Sequence, residues 1–151
     1  MSQRFDYNRL SAAGLKGFGQ VHGYLAQASL PPVLVDLVYL RVSQLNGCAF
    51  CIDLHSRDLL GHGMAVEKLV LVSVWREAGE LFDAREQAAL AWAESVTNVA
   101  SSAVPDADYG AVRAQFSEQE VSDLTVAIAL MNAYNRLGVS ARNLPAAAAR
   151  I

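Results

Sequence analysis

The chain contains two cysteines, Cys48 and Cys51, and His55 follows the second by four residues. Thiols three apart on one helical turn share a face, so they can close a disulfide or offer two sulfurs to a metal. An imidazole four residues further stacks on the same face as Cys51. There it takes the thiol proton when neutral and holds the thiolate when charged. Asn46-Gly47 suits the left-handed backbone that ends a helix. Both sulfurs therefore fall in the first turn of the next helix, where free N–H groups and the helix dipole favour a thiolate.

A third group is implied by the hairpin about Gly47. Asp36 lies eleven residues before that turn, level with the eighth to eleventh residue after it, and His55 is the eighth. A carboxylate there would orient the imidazole and raise its basicity. Within Val33-Leu34-Val35-Asp36-Leu37-Val38, a buried Asp also needs a polar partner. The competing reading pairs Asp36 with Arg41 as an ordinary ion pair.

Blander roles for the cysteines stand beside the redox dithiol. They could form part of a zinc site completed by His62 or another subunit, although four ligands are the norm and only His22 and His62 remain. They could be a structural disulfide, which gains little from so short a loop, or two inert core thiols. His62, between two glycines, reads as loop surface, and His22 has no evident partner. Trp75, Trp92 and the methionines read as core or interface. The glycines near the N-terminus follow no strand and make no nucleotide fingerprint.

The elements that must position these groups are helical. Leu10, Phe18, Val21 and Leu25 predict a helix over residues 7–27, weakened by Gly14, Gly17, Gly19 and Gly23 at about 1 kcal/mol each relative to Ala. The glycines imply either close helix packing or irregularity. Pro31-Pro32 opens a second helix to about Leu45, and a third runs from about Cys48 to Gly61-His62-Gly63. A fourth, 65–78, sets Val66, Leu69, Val70 and Val74 on one face. Asp83 with Glu86, and Ser117 with Glu120, are capping boxes for helices ending near Val99 and at Leu137-Gly138. In the last helix Val121, Leu124, Ile128 and Met131 form a stripe to be buried. Residues 101–105 read as a loop, and the Ala-rich tail after Pro145 as a short helix or frayed end. The prediction is one all-α domain over residues 1–151.

Composition excludes other classes. At 53% hydrophobic and 18% charged, the chain is too apolar for disorder. A net charge of −3 without a basic run excludes nucleic acid as an expected partner. No segment reaches the ~18 apolar residues of a membrane span. The N-terminus lacks a signal-peptide core, so a cytoplasmic location with reduced thiols is expected. The apolar surplus points to buried subunit interfaces.

The stretch from Leu40 to Ser56, reading LRVSQLNGCAFCIDLHS, resembles the AhpD-like alkylhydroperoxidases of the carboxymuconolactone decarboxylase superfamily. The resemblance continues through Trp75-Arg76-Glu77, Phe82 with Glu86, Ala91 to Thr97, and Asn132 to Leu137, spanning about 33–137. It implies an AhpD-like helical domain whose central hairpin carries the cysteines, assembled as a homo-oligomer, a trimer or hexamer. It also implies thiol-dependent reduction of hydroperoxides in antioxidant defence, with a small dithiol or protein thiol as reductant and no cofactor or metal. By position, Cys48 and Cys51 are the redox pair and His55 the relay histidine. Asp36 stands where the family usually has a longer glutamate. Phe50 stands where the best-known peroxidases have a histidine, which implies a weaker peroxidase or another electron donor. A decarboxylase-like lyase is the alternative within the superfamily, but its members generally lack the cysteine pair.

Overall fold

The computed structural model describes residues 2–150, and no strand occurs among them. In chain order the helices are α1 (Tyr7–Leu10), α2 (Ala12–Leu25), α3 (Pro32–Asn46), α4 (Ala49–Gly61), α5 (Val66–Leu71), α6 (Ala84–Thr97), α7 (Val99–Ser102), α8 (Asp106–Arg113) and α9 (Glu118–Ala141). Short 3₁₀ segments occupy Val72–Glu77, Gly79–Leu81 and Ala146–Arg150.

The architecture is organised around α3, which packs against α4, α6 and α9. Leu37, Val38, Leu40 and Val42 on α3 are sealed from solvent with Leu59, Leu90, Leu124 and Ile128. Side chains of this kind contribute about 1.5–3 kcal/mol each on burial, so α3 is the element the others cover. The expected stripe on α9, Val121, Leu124, Ile128 and Met131, is buried.

Local signals place the helix ends. Both capping boxes form: Asp83 accepts from the Glu86 N–H and Ser117 from the Glu120 N–H, with each glutamate reaching back to the cap. Gly47 is left-handed at φ 67°, and the Cys48 N–H donates to the Ser43 carbonyl at 3.0 Å while Gly47 N–H donates to Gln44 at 3.3 Å. This double bond pattern satisfies the last carbonyls of α3 and turns the chain directly into α4.

The structure departs from the sequence expectations at several elements. The first helix is interrupted at Ser11, and a Cβ placed at any of its glycines would meet nothing within 4 Å, so they serve no close packing. The fourth helix stops at Leu71 and tightens into 3₁₀, where Trp75 turns inward to reach Glu94. Its valine face points outward: Val66, Val70 and Val74 are 57%, 63% and 49% exposed. Gly138 does not end α9; the helix continues to Ala141, because that glycine is needed for a close approach described below. In addition, residues 101–105 begin with the last residues of the helical turn α7, and α8 forms where no element was expected.

Candidate active site

Cys48 is the N-cap of α4, and Cys51 sits in its first turn. The two are paired as a disulfide with Cα atoms 5.4 Å apart. Their turn is anchored from beneath by amides on α9. Asn46 Nδ2 donates to Asn132 Oδ1 and Asn135 Oδ1, each at 3.0 Å, and Asn135 Nδ2 donates to Ser43 Oγ at 3.0 Å. Gly138 faces the sulfurs, and a Cβ there would lie 3.1 Å from Cys48 Sγ and 3.8 Å from Cys51 Sγ. A helix-interior glycine costs about 1 kcal/mol against alanine; here it makes room for the pair.

The cysteines differ in access. Cys51 lines a cavity of about 610 Å³ that Cys48 does not reach. His55, Tyr39, His22, Phe50, Leu54, Met131 and Tyr134 share that wall, so the space beside the sulfur is mainly apolar and aromatic. Tyr7 and Asn143, from near the two chain ends, also line it and are joined by a hydrogen bond from Asn143 Nδ2 to Tyr7 Oη at 2.7 Å; nearby, the Arg4 N–H donates to the Ala141 carbonyl at 2.8 Å.

His55 is buried, one turn along α4 from Cys51. Its Nδ1 lies 3.4 Å from Asp36 Oδ1 and 3.6 Å from Asp58 Oδ2, yet makes no hydrogen bond. The hairpin thus brings Asp36 to His55 despite the short side chain. Arg41 points elsewhere, bonding Glu94 at 2.7 Å rather than Asp36. His62 is not idle loop surface, since its Nε2 is 3.2 Å from Asp36 Oδ2. Among the described residues, neither cysteine belongs to a cluster of three or more possible metal ligands.

The sequence reading missed Tyr39, Asp58 and the partnership of His62. Tyr39 packs its ring 5.0 Å from the His55 ring, and its buried hydroxyl has no hydrogen-bond partner. Burial, aided by the Asp36 charge, pushes that hydroxyl well above its usual pKa, so it stays a neutral donor. The available signal was Tyr39's position three residues after Asp36 on the same helix. Trp75 and Trp92 are core residues, as expected.

The carboxymuconolactone decarboxylase family profile matches residues 12–95. YdfG of Bacillus subtilis (strain 168), an uncharacterized protein, is 34% identical over 143 residues, covering 95% of this chain and 97% of that one. Among solved structures, ATU0492 from Agrobacterium tumefaciens superposes with a TM-score of 0.91 at 33% identity, covering 95% of this chain and 98% of that one. That protein has been proposed to be the antioxidant-defence protein AhpD. The debrominase Bmp8 shares the fold at a TM-score of 0.72 and 17% identity, over 85% of this chain and 69% of its own. The chain therefore belongs to the carboxymuconolactone decarboxylase family, within its AhpD-like group. The fold by itself does not specify a reaction, since a debrominase has it too.

Proposed function

We propose that the protein is a thiol-dependent peroxidase or dithiol–disulfide oxidoreductase acting through Cys51 and Cys48, with His55 and Asp36 as proton relay. The observation that carries this is the shared cavity wall of Cys51 and His55, with Asp36 behind the imidazole. Cys51 is the attacking thiolate because it opens into the cavity. It attacks the terminal peroxide oxygen, the O–O bond breaks, and Cys51 becomes a sulfenic acid while the alkoxide takes a proton from the imidazolium of His55. The Cys48 thiol then displaces the sulfenic oxygen as water, forming the disulfide. A small dithiol or protein thiol restores the pair by exchange, leaving as its own disulfide. The chemistry requires no cofactor.

The apolar wall favours an organic hydroperoxide over hydrogen peroxide, because Phe50, Leu54 and Met131 offer contact to a hydrocarbon group. A homo-oligomer is part of the proposal. Val66, Val70 and Val74 are exposed apolar side chains of the kind that contacts between subunits cover. No helix among the described residues is long and apolar enough to cross a membrane, and a cytoplasmic setting suits a pair that must be reduced each cycle.

The test is consumption of cumene hydroperoxide by reduced protein with a dithiol donor. Stoichiometric oxidation should remove two hydrogens from the chain mass. Cys51→Ser should abolish turnover, while Cys48→Ser should stop at a sulfenic acid that dimedone traps. Full activity in both variants would dismiss the redox reading.

A further inference from the structure

The side of His55 bearing Nδ1 gathers more ligand-type atoms than a proton relay needs. One carboxylate oxygen of Asp36, one of Asp58 and His55 Nδ1 all lie within 4.8 Å of one another. Nδ1 is buried without a hydrogen-bond partner on a side chain only 8% exposed. A buried polar atom left unsatisfied costs about 1–3 kcal/mol, so this nitrogen is suited to a partner from solution. We propose that Asp36, His55 and Asp58 form a site for a zinc-type divalent cation, with His62 holding the outer oxygen of Asp36.

Spacing and donor set together indicate the class of ion. Ligands about 2.0–2.1 Å from a tetrahedral zinc stand about 3.4 Å from one another. Octahedral magnesium at about 2.1 Å would draw adjacent ligands to about 3.0 Å. Nδ1 is 3.4 Å from Asp36 and 3.6 Å from Asp58, nearer the tetrahedral edge than the octahedral one. An imidazole donor also favours zinc or its neighbours over magnesium or calcium. Two carboxylates balance the charge of a dication, and a neutral imidazole adds none. The Asp58 side chain is 44% exposed and free to close the third edge.

His62 completes the arrangement from outside. Its Nε2, 3.2 Å from Asp36 Oδ2, ties down the oxygen opposite the one that approaches His55. Outer hydrogen bonds of this type orient ligands and raise metal affinity. A second cavity of about 360 Å³, lined by Asp36, His55 and Asp58, supplies an entry path and space for water in the fourth position. It is separate from the cysteines, which line no part of it. With Nδ1 bound to metal, the ring proton rests on Nε2 and His55 cannot accept another. If the redox reading above holds, zinc therefore inhibits the thiol step.

The experiment is calorimetric titration of zinc chloride into the full-length chain in its disulfide form, which removes the sulfurs as ligands. One zinc per chain is expected, with no heat from magnesium chloride. Asp58→Asn should weaken binding more than about tenfold and His62→Gln by about tenfold. Asp53→Asn, on the same helix but paired with Arg57, should bind as the wild type does. Cobalt(II) should give the visible bands of a four-coordinate site with no sulfur charge-transfer band. Absence of zinc binding to the folded disulfide form would overturn the site. So would affinity unchanged in both Asp36→Asn and Asp58→Asn, with circular dichroism confirming their folds. Peroxide inactivity of the metal-free reduced protein would instead count against the redox reading alone.

Discussion

Two carboxylates, Glu94 beside α3 and Asp36 on it, are treated in opposite ways. Glu94, reaching α3 from α6, has both oxygens engaged. Oε1 accepts from Arg41 Nε at 2.8 Å and Trp75 Nε1 at 2.9 Å, and Oε2 accepts from Arg76. Burial pushes its pKa up, but the donors from Trp75, Arg76 and Arg41 outweigh this and hold the carboxyl below its usual range. Asp36, on α3 itself, touches two histidines without saturating either, and leaves His55 Nδ1 without a bond. A saturated cluster has nothing left to offer a substrate and acts as a clamp between helices. An unsaturated one keeps proton and ligand capacity in reserve. Incomplete satisfaction inside an otherwise well-bonded molecule is the physical mark that separates the candidate site from its scaffold.

The sharpest way to break this contrast is at the proposed reacting atom. Cys51→Ser should cut peroxide turnover by more than about 10³-fold, measured by substrate consumption, with the urea midpoint little moved. Asp36→Asn should come next in activity, with a loss of about 10²-fold, the low end for an acid–base group. Its stability should change by less than about 1 kcal/mol, since no complete hydrogen-bond network is dismantled. A large stability loss with full activity would make Asp36 scaffold instead.

Glu94→Gln should do the reverse. Breaking a buried ion cluster on one side costs about 3–5 kcal/mol, and the Glu94 side chain is only 15% exposed. Urea unfolding should show a loss of about that size, while activity per folded molecule stays within about twofold. Acid sharpens the same point. A carboxyl with a lowered folded pKa lends stability above its unfolded pKa of about 4.3, and loses it as pH falls through the folded value. The stability gap between wild type and Glu94→Gln should therefore be widest near neutrality and narrow below about pH 4.

The smallest effect belongs to Tyr39→Phe. Its hydroxyl makes no hydrogen bond, so removing it should leave stability within about 0.5 kcal/mol or slightly raise it. A several-fold fall in turnover with that unchanged stability would mark the hydroxyl as a donor to bound substrate.

The sequence by itself determined what depends on residues close in the chain. The turn at Gly47, the caps at Asp83 and Ser117, and the register of Cys51 with His55 follow from backbone preference and a fixed rise per residue. Even the approach of Asp36 to His55 was legible, because a tight hairpin converts sequence distance into height along two helices. Only the tertiary structure decided the rest. The pull of Glu94 on Trp75 ended α5 early, and it was the sulfurs that explained Gly138. His62 acquired a role because α4 ends beside Asp36, and the cavity beside Cys51 took part of its wall from Tyr7 and Asn143, near opposite ends of the chain. Each of these depends on which surface another helix presents. Periodicity within one helix carries no information about that surface, so the residues of the candidate site could be named from spacing while their surroundings could not.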